Sequence, residues 1–175
     1  MERWKRWSPV FIIAILLVLV VILAYFNRMT MSKNEQDMQN PVLVVKIKGE
    51  EAGRIDLEQM KTLGVMEFTT TLRTSTASPS DHTYMGIPLE NILSYVVDDF
   101  RERGVRVVAR AVDAYVVAYD MDELSYKDHL YLVFARDGER LAGKSSGGFG
   151  PLLLIAKQDQ FGQRWCKYVT EVDVQ

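Results

Sequence analysis

The stretch "YLVFARDGERLAGKSSGGFGPLLLIAKQ", Tyr131 to Gln158, decides between two folds. Within it Gly138 to Ser145, "GERLAGKS", fits G-x-x-x-x-G-K-[ST], the loop that grips nucleotide phosphates. That loop works only between a strand and a helix N-terminus, where orphan backbone N–H groups and the helix dipole meet the phosphate. "YLVFARD" supplies a strand on the correct side. Lys144, however, is followed by "SSGGFGP", with three glycines and a proline in seven residues. In a helix Gly costs about 1 kcal/mol and Pro about 3 kcal/mol against Ala, so no helix propagates here. The stretch reads instead as a strand, an Asp137-Gly138 turn, a glycine-rich loop and a second strand, "GPLLLI". No nucleotide is expected.

Working outward, strands dominate. "WCKYVTEVDV" closes the chain as a strand, and "VRVVARAVDAYVVAYD" gives a strand, a break at Asp113-Ala114 and more strand. "MDELSY" fits one helical turn. Upstream, "PVLVVKIKGEEAG" reads as a first strand ended by Gly49 and Gly53, and "VMEFTTTLRTSTASPSD" as a strand running into a polar loop. Two helices stand among the strands. "IDLEQMKTLG" has Asp56 as N-cap and Gly64 as stop. "IPLENILSYVVDDFRERG" sets Leu89, Ile92, Leu93, Val96, Val97 and Phe100 on one face at 3-and-4 spacing, with Pro88 in the first turn and Gly104 as stop. The expected class is α+β, mixed and β-rich.

The N-terminus has a different character. Arg3, Lys5 and Arg6 precede an uncharged apolar run over 9–26. Eighteen residues at 1.5 Å rise come to roughly 27 Å, close to the ~30 Å of a hydrocarbon core. Trp4, Trp7 and Tyr25 are placed like interfacial anchors. The run is longer than a signal-peptide core and lacks a small-x-small cleavage site, which favours an uncleaved transmembrane signal anchor over cleavage. The expected organisation is a basic cytoplasmic N-terminus over 1–8, a single-pass span over 9–26, a polar linker over 27–40 and an extracytoplasmic domain over 41–175 at the cell membrane.

Composition removes several function classes. Without Glu2, Arg3, Lys5 and Arg6 the chain holds 18 basic and 22 acidic residues, a mildly acidic balance that argues against nucleic acid. His82 and His129 are the only histidines, too isolated to argue for zinc. Asp81-His82 beside serines hints at a triad on paper, but neighbours in a polar loop are weak grounds. Cys166 is the sole cysteine, so no intrachain disulfide forms, and "RWCKYV" reads as a strand residue rather than a nucleophile.

Four segments, in order, resemble the oxidoreductase molybdopterin-binding domain family of the sulfite oxidase type. "TYMGIPLENIL" is similar to that family's aromatic-x-G-[VI]-P-L-x-x-[LV]-L lead-in to a helix. "AVDAYVVAYDMDEL" is similar to its A-x-D-G-Y strand and the short helix after it. "YLVFARDGERL" is similar to its L-A-x-x-x-[ND]-G-x-x-L hairpin, and "GFGPLLLIAKQDQFGQRWCKYVTEVDV" to its G-G-P-L-R-L-V strand and terminal K-W-V-T-x-I-E-V. The resemblance covers nearly everything from about Asp56 to Val174. Molybdenum members carry a Cys in the loop after the second strand, whereas the matching "TTTLRTSTASPSD" has none. Molybdenum there needs a soft thiolate donor that Ser or Thr does not supply, so no molybdenum is expected. The family's Arg in P-L-R-L is Leu153, its strand-ending Pro is Ala156, and its D-G-Y is Asp113-Ala114-Tyr115.

The resemblance implies a pterin or molybdopterin ligand, held at the loop Arg73, Thr74 and Ser75, at Asp113 and Tyr115, and at the glycine-rich turn with Lys144 and Ser145. Arg164 is a further cation. A pterin's flat ring wants an aromatic face, for which Tyr84 and Tyr115 are candidates, and its amino edge wants a carboxylate, for which Asp113 is the candidate. Each has a plain alternative: Asp113 fixes a turn, Tyr115 is core, the loop is simply mobile, and Arg73 and Arg164 are surface charges. The first functional reading is a non-catalytic module for a pterin-like ligand or for a membrane receptor or electron-transfer protein. The alternative is a molybdopterin-dependent oxidoreductase with atypical metal ligation.

Overall fold

A computed structural model of the chain describes residues 11–26, 38–73 and 78–175. The chain divides into two units, Met1–Asp37 and Met38–Gln175. In the first, residues 11–26 form a helix, α1, whose side chains are all exposed. Among the described residues no helix is long and apolar enough to cross a membrane. The expected transmembrane helix therefore finds no support there, and its first two residues, 9 and 10, lie outside the described set.

In the second unit Val42–Ile47 forms β1 and Glu50–Asp56 forms β2. The two are joined by a tight turn with Lys48 and Gly49 both at positive φ. Gly49 thus ends β1 as expected, but Gly53 does not end a strand. It lies inside β2, where an added Cβ would stand 2.7 Å from the Val96 side chain. Helix α2, Leu57–Lys61, starts at the expected cap: the Asp56 carboxylate accepts from the Gln59 N–H, and the Gln59 side chain accepts from the Asp56 N–H. Strand β3, Met66–Leu72, follows as expected.

The next strand, β4 over Ser80–Pro88, was not expected, because its outer half reads as polar loop. It pairs with β3 from Ser80 to Gly86, and this partner supplies the order that "SDHT" lacks alone. Helix α3, Leu89–Val96, is shorter than its periodicity predicts. Val97 turns extended, Asp99 takes positive φ, and a 3₁₀ turn at Phe100–Glu102 carries Phe100 into the core. All six residues of the expected apolar face still pack inward. Gly104 is a site of close approach rather than a helix stop, since an added Cβ would meet the Gln175 carbonyl oxygen at 2.4 Å.

Strands β5, Arg106–Ala111, and β6, Val116–Asp120, form a hairpin whose break holds Ala114 at positive φ. A 3₁₀ turn, Met121–Ser125, is the expected single turn. Strand β7, Leu130–Arg136, is buried along most of its length and folds back at Asp137-Gly138 onto β8, Glu139–Arg140. Strand β9, Leu153–Ala156, comes next. The expected closing strand is split into β10, Cys166–Lys167, and β11, Val169–Val174, by Tyr168 at positive φ.

Two sheets result. One has the order β2-β1-β11-β5-β6, with β1 parallel to β11 and the rest antiparallel. The other has the order β10-β9-β7-β4-β3, with β8 on β7. Leu132, Leu154, Ile155, Val172, Leu93 and Tyr84 form part of one core cluster. The class is mixed and β-rich, as expected.

Candidate functional site

The hairpin break between β5 and β6 faces the connection from β9 to β11. Between them lies a cleft of about 340 Å³ lined by Asp113, Tyr115, Gly162, Gln163, Trp165, Lys167 and Tyr168. Its floor is fixed by side-chain bonds to backbone. The Tyr115 hydroxyl donates to the Gln163 carbonyl at 2.6 Å, the Trp165 indole donates to the Ala156 carbonyl at 3.2 Å, and the Tyr168 hydroxyl donates to the Gly148 carbonyl at 2.8 Å.

Asp113 meets Lys144 at the cleft's edge. Its carboxylate accepts from the Lys144 ammonium at 3.1 Å and from the Tyr115 N–H at 3.3 Å. The Lys144 bond holds the carboxyl below the usual carboxylate range, so it is an acceptor at neutral pH. The Lys144 ammonium also lies 5.4 Å from the centre of the Tyr168 ring. Lys167 stands over Phe149 at 3.9 Å, and Arg136 over the same ring at 5.3 Å. One edge of the cleft is therefore cationic and aromatic together.

Of the expected site residues, Asp113, Tyr115 and Lys144 come together. Asp113 does also brace a turn, through the Tyr115 N–H, so the two readings of it are compatible. Tyr115 is 47% exposed and is not core. Ser145 is exposed within a 3₁₀ turn, Lys144–Ser146, which confirms that no α-helix follows the phosphate-loop match. Arg73 is exposed, with its carbonyl near Gly162 at the cleft's border. Thr74 and Ser75 lie outside the described residues.

Two expectations are corrected. Tyr84 cannot offer a stacking face, because it is fully buried between Phe68 and Trp165, with ring centres 6.0 and 5.9 Å away. Burial pushes its phenol up to about 12. Its hydroxyl makes no hydrogen bond of ordinary geometry among the described residues, although the Arg136 guanidinium is near enough to oppose the upward shift. Tyr84→Phe is thus expected to raise stability by about 1 kcal/mol, read as a higher urea midpoint, because it removes an unpaired buried hydroxyl and keeps the ring. A lower midpoint would show that the hydroxyl has a partner.

Arg164 is committed to carboxylates of its own chain and is not a loose surface charge. It bonds Glu123 at 2.8 and 3.0 Å and Asp159 at 2.6 and 2.7 Å. His129, 3% exposed, faces the same Glu123 at 3.2 Å and accepts the Gln158 N–H on its other nitrogen. Glu123, His129 and Asp159 are close enough to share a metal ion, but Arg164 already supplies their positive partner.

Sequence reading missed Trp165, Lys167 and Tyr168. The one visible signal is the aromatic spacing in "WCKY". The kink at Tyr168 that turns this segment toward Asp113 left none. Cys166, between these residues, is fully buried opposite Leu154, and burial pushes its thiol up to about 12. It is a core thiol and not a ready metal ligand.

No protein-family model matches the chain, and no curated protein matches it. Among solved structures the fold is similar to the sulfane dehydrogenase SoxCD from Paracoccus pantotrophus, with a TM-score of 0.59 and 17% identity. The match covers 76% of this chain and 37% of that one. At this identity the likeness shows the fold alone, a β-rich one distantly like that of the sulfite oxidase-type molybdopterin oxidoreductases.

Proposed function

We propose that the second unit is a pterin-binding module without redox catalysis, held at the outer face of a cell membrane by the apolar N-terminal segment. The observation that carries this reading is the meeting of Asp113, Tyr115 and Lys144 with Trp165 and Tyr168 around one cleft. A flat 2-amino-4-oxo ring suits it. The Asp113 carboxylate accepts from the amino group and ring N–H, a tyrosine face covers the ring, and Lys144 donates to the oxo group. The cleft falls within the size range of small-molecule sites.

Molybdenum fits poorly. The loop after β3 has no cysteine, and the only thiol is buried and protonated. The dehydrogenase name of the structural neighbour favours, as a second reading, an oxidoreductase with atypical metal ligation. Elemental analysis of natively purified chain separates the two, and no stoichiometric molybdenum is expected.

Titrating the full chain with tetrahydropterin in a calorimeter tests the ligand. Binding is expected, and Asp113→Ala should weaken it about tenfold or more, the loss of one charge-assisted hydrogen-bond partner. An absence of heat with any reduced pterin would remove the ligand and leave a partner-binding module, a membrane receptor or electron-transfer protein being the candidate partner.

A further inference from the structure

The polar start of β4 holds a second constellation, away from the cleft. Ser80 Oγ lies 2.9 Å from His82 Nε2, and His82 Nδ1 lies 2.7 Å from Asp137 Oδ2. Asp137 comes from the β7–β8 turn, 55 positions along the chain from His82. It is fastened by backbone on both sides: its other carboxylate oxygen accepts the Thr83 N–H at 3.0 Å, and its own N–H donates to the Thr83 carbonyl at 2.7 Å. These bonds hold its carboxyl below the usual range, with the Thr83 N–H the largest cause and His82 the next.

An ionised Asp137 can only accept, so His82 carries its proton on Nδ1 and leaves Nε2 free to accept from the Ser80 hydroxyl. That is the order of roles in a serine nucleophile, its base and the group that orients the base. Asp81, the carboxylate next to His82 in sequence, is not part of it. It bonds the Thr71 hydroxyl at 2.6 Å on the neighbouring strand.

We propose that Ser80, His82 and Asp137 form an acyl-transfer site that hydrolyses activated carboxylic esters. Ser80 Oγ attacks the ester carbonyl carbon while its proton passes to His82 Nε2. The bond to the leaving oxygen breaks, and that oxygen takes the proton from His82. Water then attacks the acyl-Ser80 ester, gives a proton to His82 and releases the carboxylic acid, and His82 returns the proton to Ser80. Ester and water become acid and alcohol, with no other co-reactant. Ser80 is exposed and His82 half-buried, so the nucleophile stands in the open. An exposed nucleophile with an oriented base suits a substrate whose own leaving group is good, such as an aryl ester.

The test uses the full chain with a fluorophosphonate, which forms a bond from phosphorus to Ser80 Oγ and expels fluoride, and with 4-nitrophenyl acetate. Peptide mass spectrometry should find the label on Ser80. Ser80→Ala should abolish both the label and the esterase rate. His82→Gln should lower labelling about 100-fold, the scale of general-base help, and Asp137→Asn should lower it by removing the acceptor that sets the tautomer. Circular dichroism checks that each variant is folded, and the position of the label in the wild type stands if one is not. Label spread over other serines, or a Ser80 rate unchanged in folded His82→Gln, would overturn the proposal. In that case the relay only fastens the β7–β8 turn to β4.

Discussion

Gly86→Ala is expected to destabilise the second unit by about 2–3 kcal/mol. A Cβ on Gly86 would stand 2.8 Å from the Leu132 carbonyl oxygen, 2.9 Å from a Val133 methyl and 3.1 Å from the Val133 Cα. Two of the three are backbone atoms of β7, which cannot move aside by changing rotamer. The register between β4 and β7 shifts between Met85 and Gly86, and this irregularity brings the two backbones close at a fully buried position. Overpacking of this kind costs about 1–3 kcal/mol, and the rigid neighbours put it at the upper end. Urea unfolding should show a lower midpoint with an unchanged slope. A loss under about 0.5 kcal/mol would mean that the strands separate freely. The glycine in "TYMGIPLENIL" thus acquires a physical reason: it lets the strand before α3 lie against β7.

Arg164→Met is expected to cost about 2 kcal/mol near neutral pH and to flatten the acid limb of the stability curve. Breaking a buried ion pair typically costs about 3–5 kcal/mol. Arg164 is 38% exposed, so solvent screening reduces that figure. Burial acts to raise Glu123, but the Arg164 bonds, the Asp120 N–H and His129 together bring it down to about 2, from 4.5 when unperturbed. A carboxylate depressed on folding stabilises above its unfolded value, and the gain is lost as pH falls through the folded one. The wild type should therefore lose stability between about pH 4.5 and pH 2. Arg164→Met, with Glu123 and Asp159 left facing each other, should lose much less across that window. Equal losses in the two proteins, by urea unfolding at pH 7 and pH 3, would count against this account.

What could be read from the sequence follows the range of the interactions. The α2 start at Asp56, the Asp137-Gly138 turn and the break at Asp113-Ala114 are set by residues adjacent in sequence, and each stands where local chemistry puts it. Strand β4 was not readable, because "SDHT" is ordered by β3 across the hairpin and by Asp137 far along the chain. The end of α3 failed for a related reason: Phe100 continues the helical spacing but reaches the core by a 3₁₀ turn. In the cleft, Asp113 and Lys144 were reached through family likeness. Trp165, Lys167 and Tyr168 depend on a single left-handed residue that leaves no composition signal. The ion pairs of Arg164 were not readable because a lone arginine in sequence does not reveal two carboxylates waiting for it.

The position of β11 has a consequence for how the chain comes to be folded. It lies between β1 and β5, the inner strands of its sheet, yet it is made after both. Asp173, almost fully buried, accepts the Gly49 N–H at 3.0 Å across 124 positions of chain. Until the final strand emerges, β1 and β5 have a bare edge each and no way to close the gap. Non-local pairing of this kind is slow, and an open edge is what neighbouring chains add to. A growing chain of this protein thus carries an unfinished sheet until β11 is made, and its folding yield hinges on how quickly that six-residue strand finds the slot.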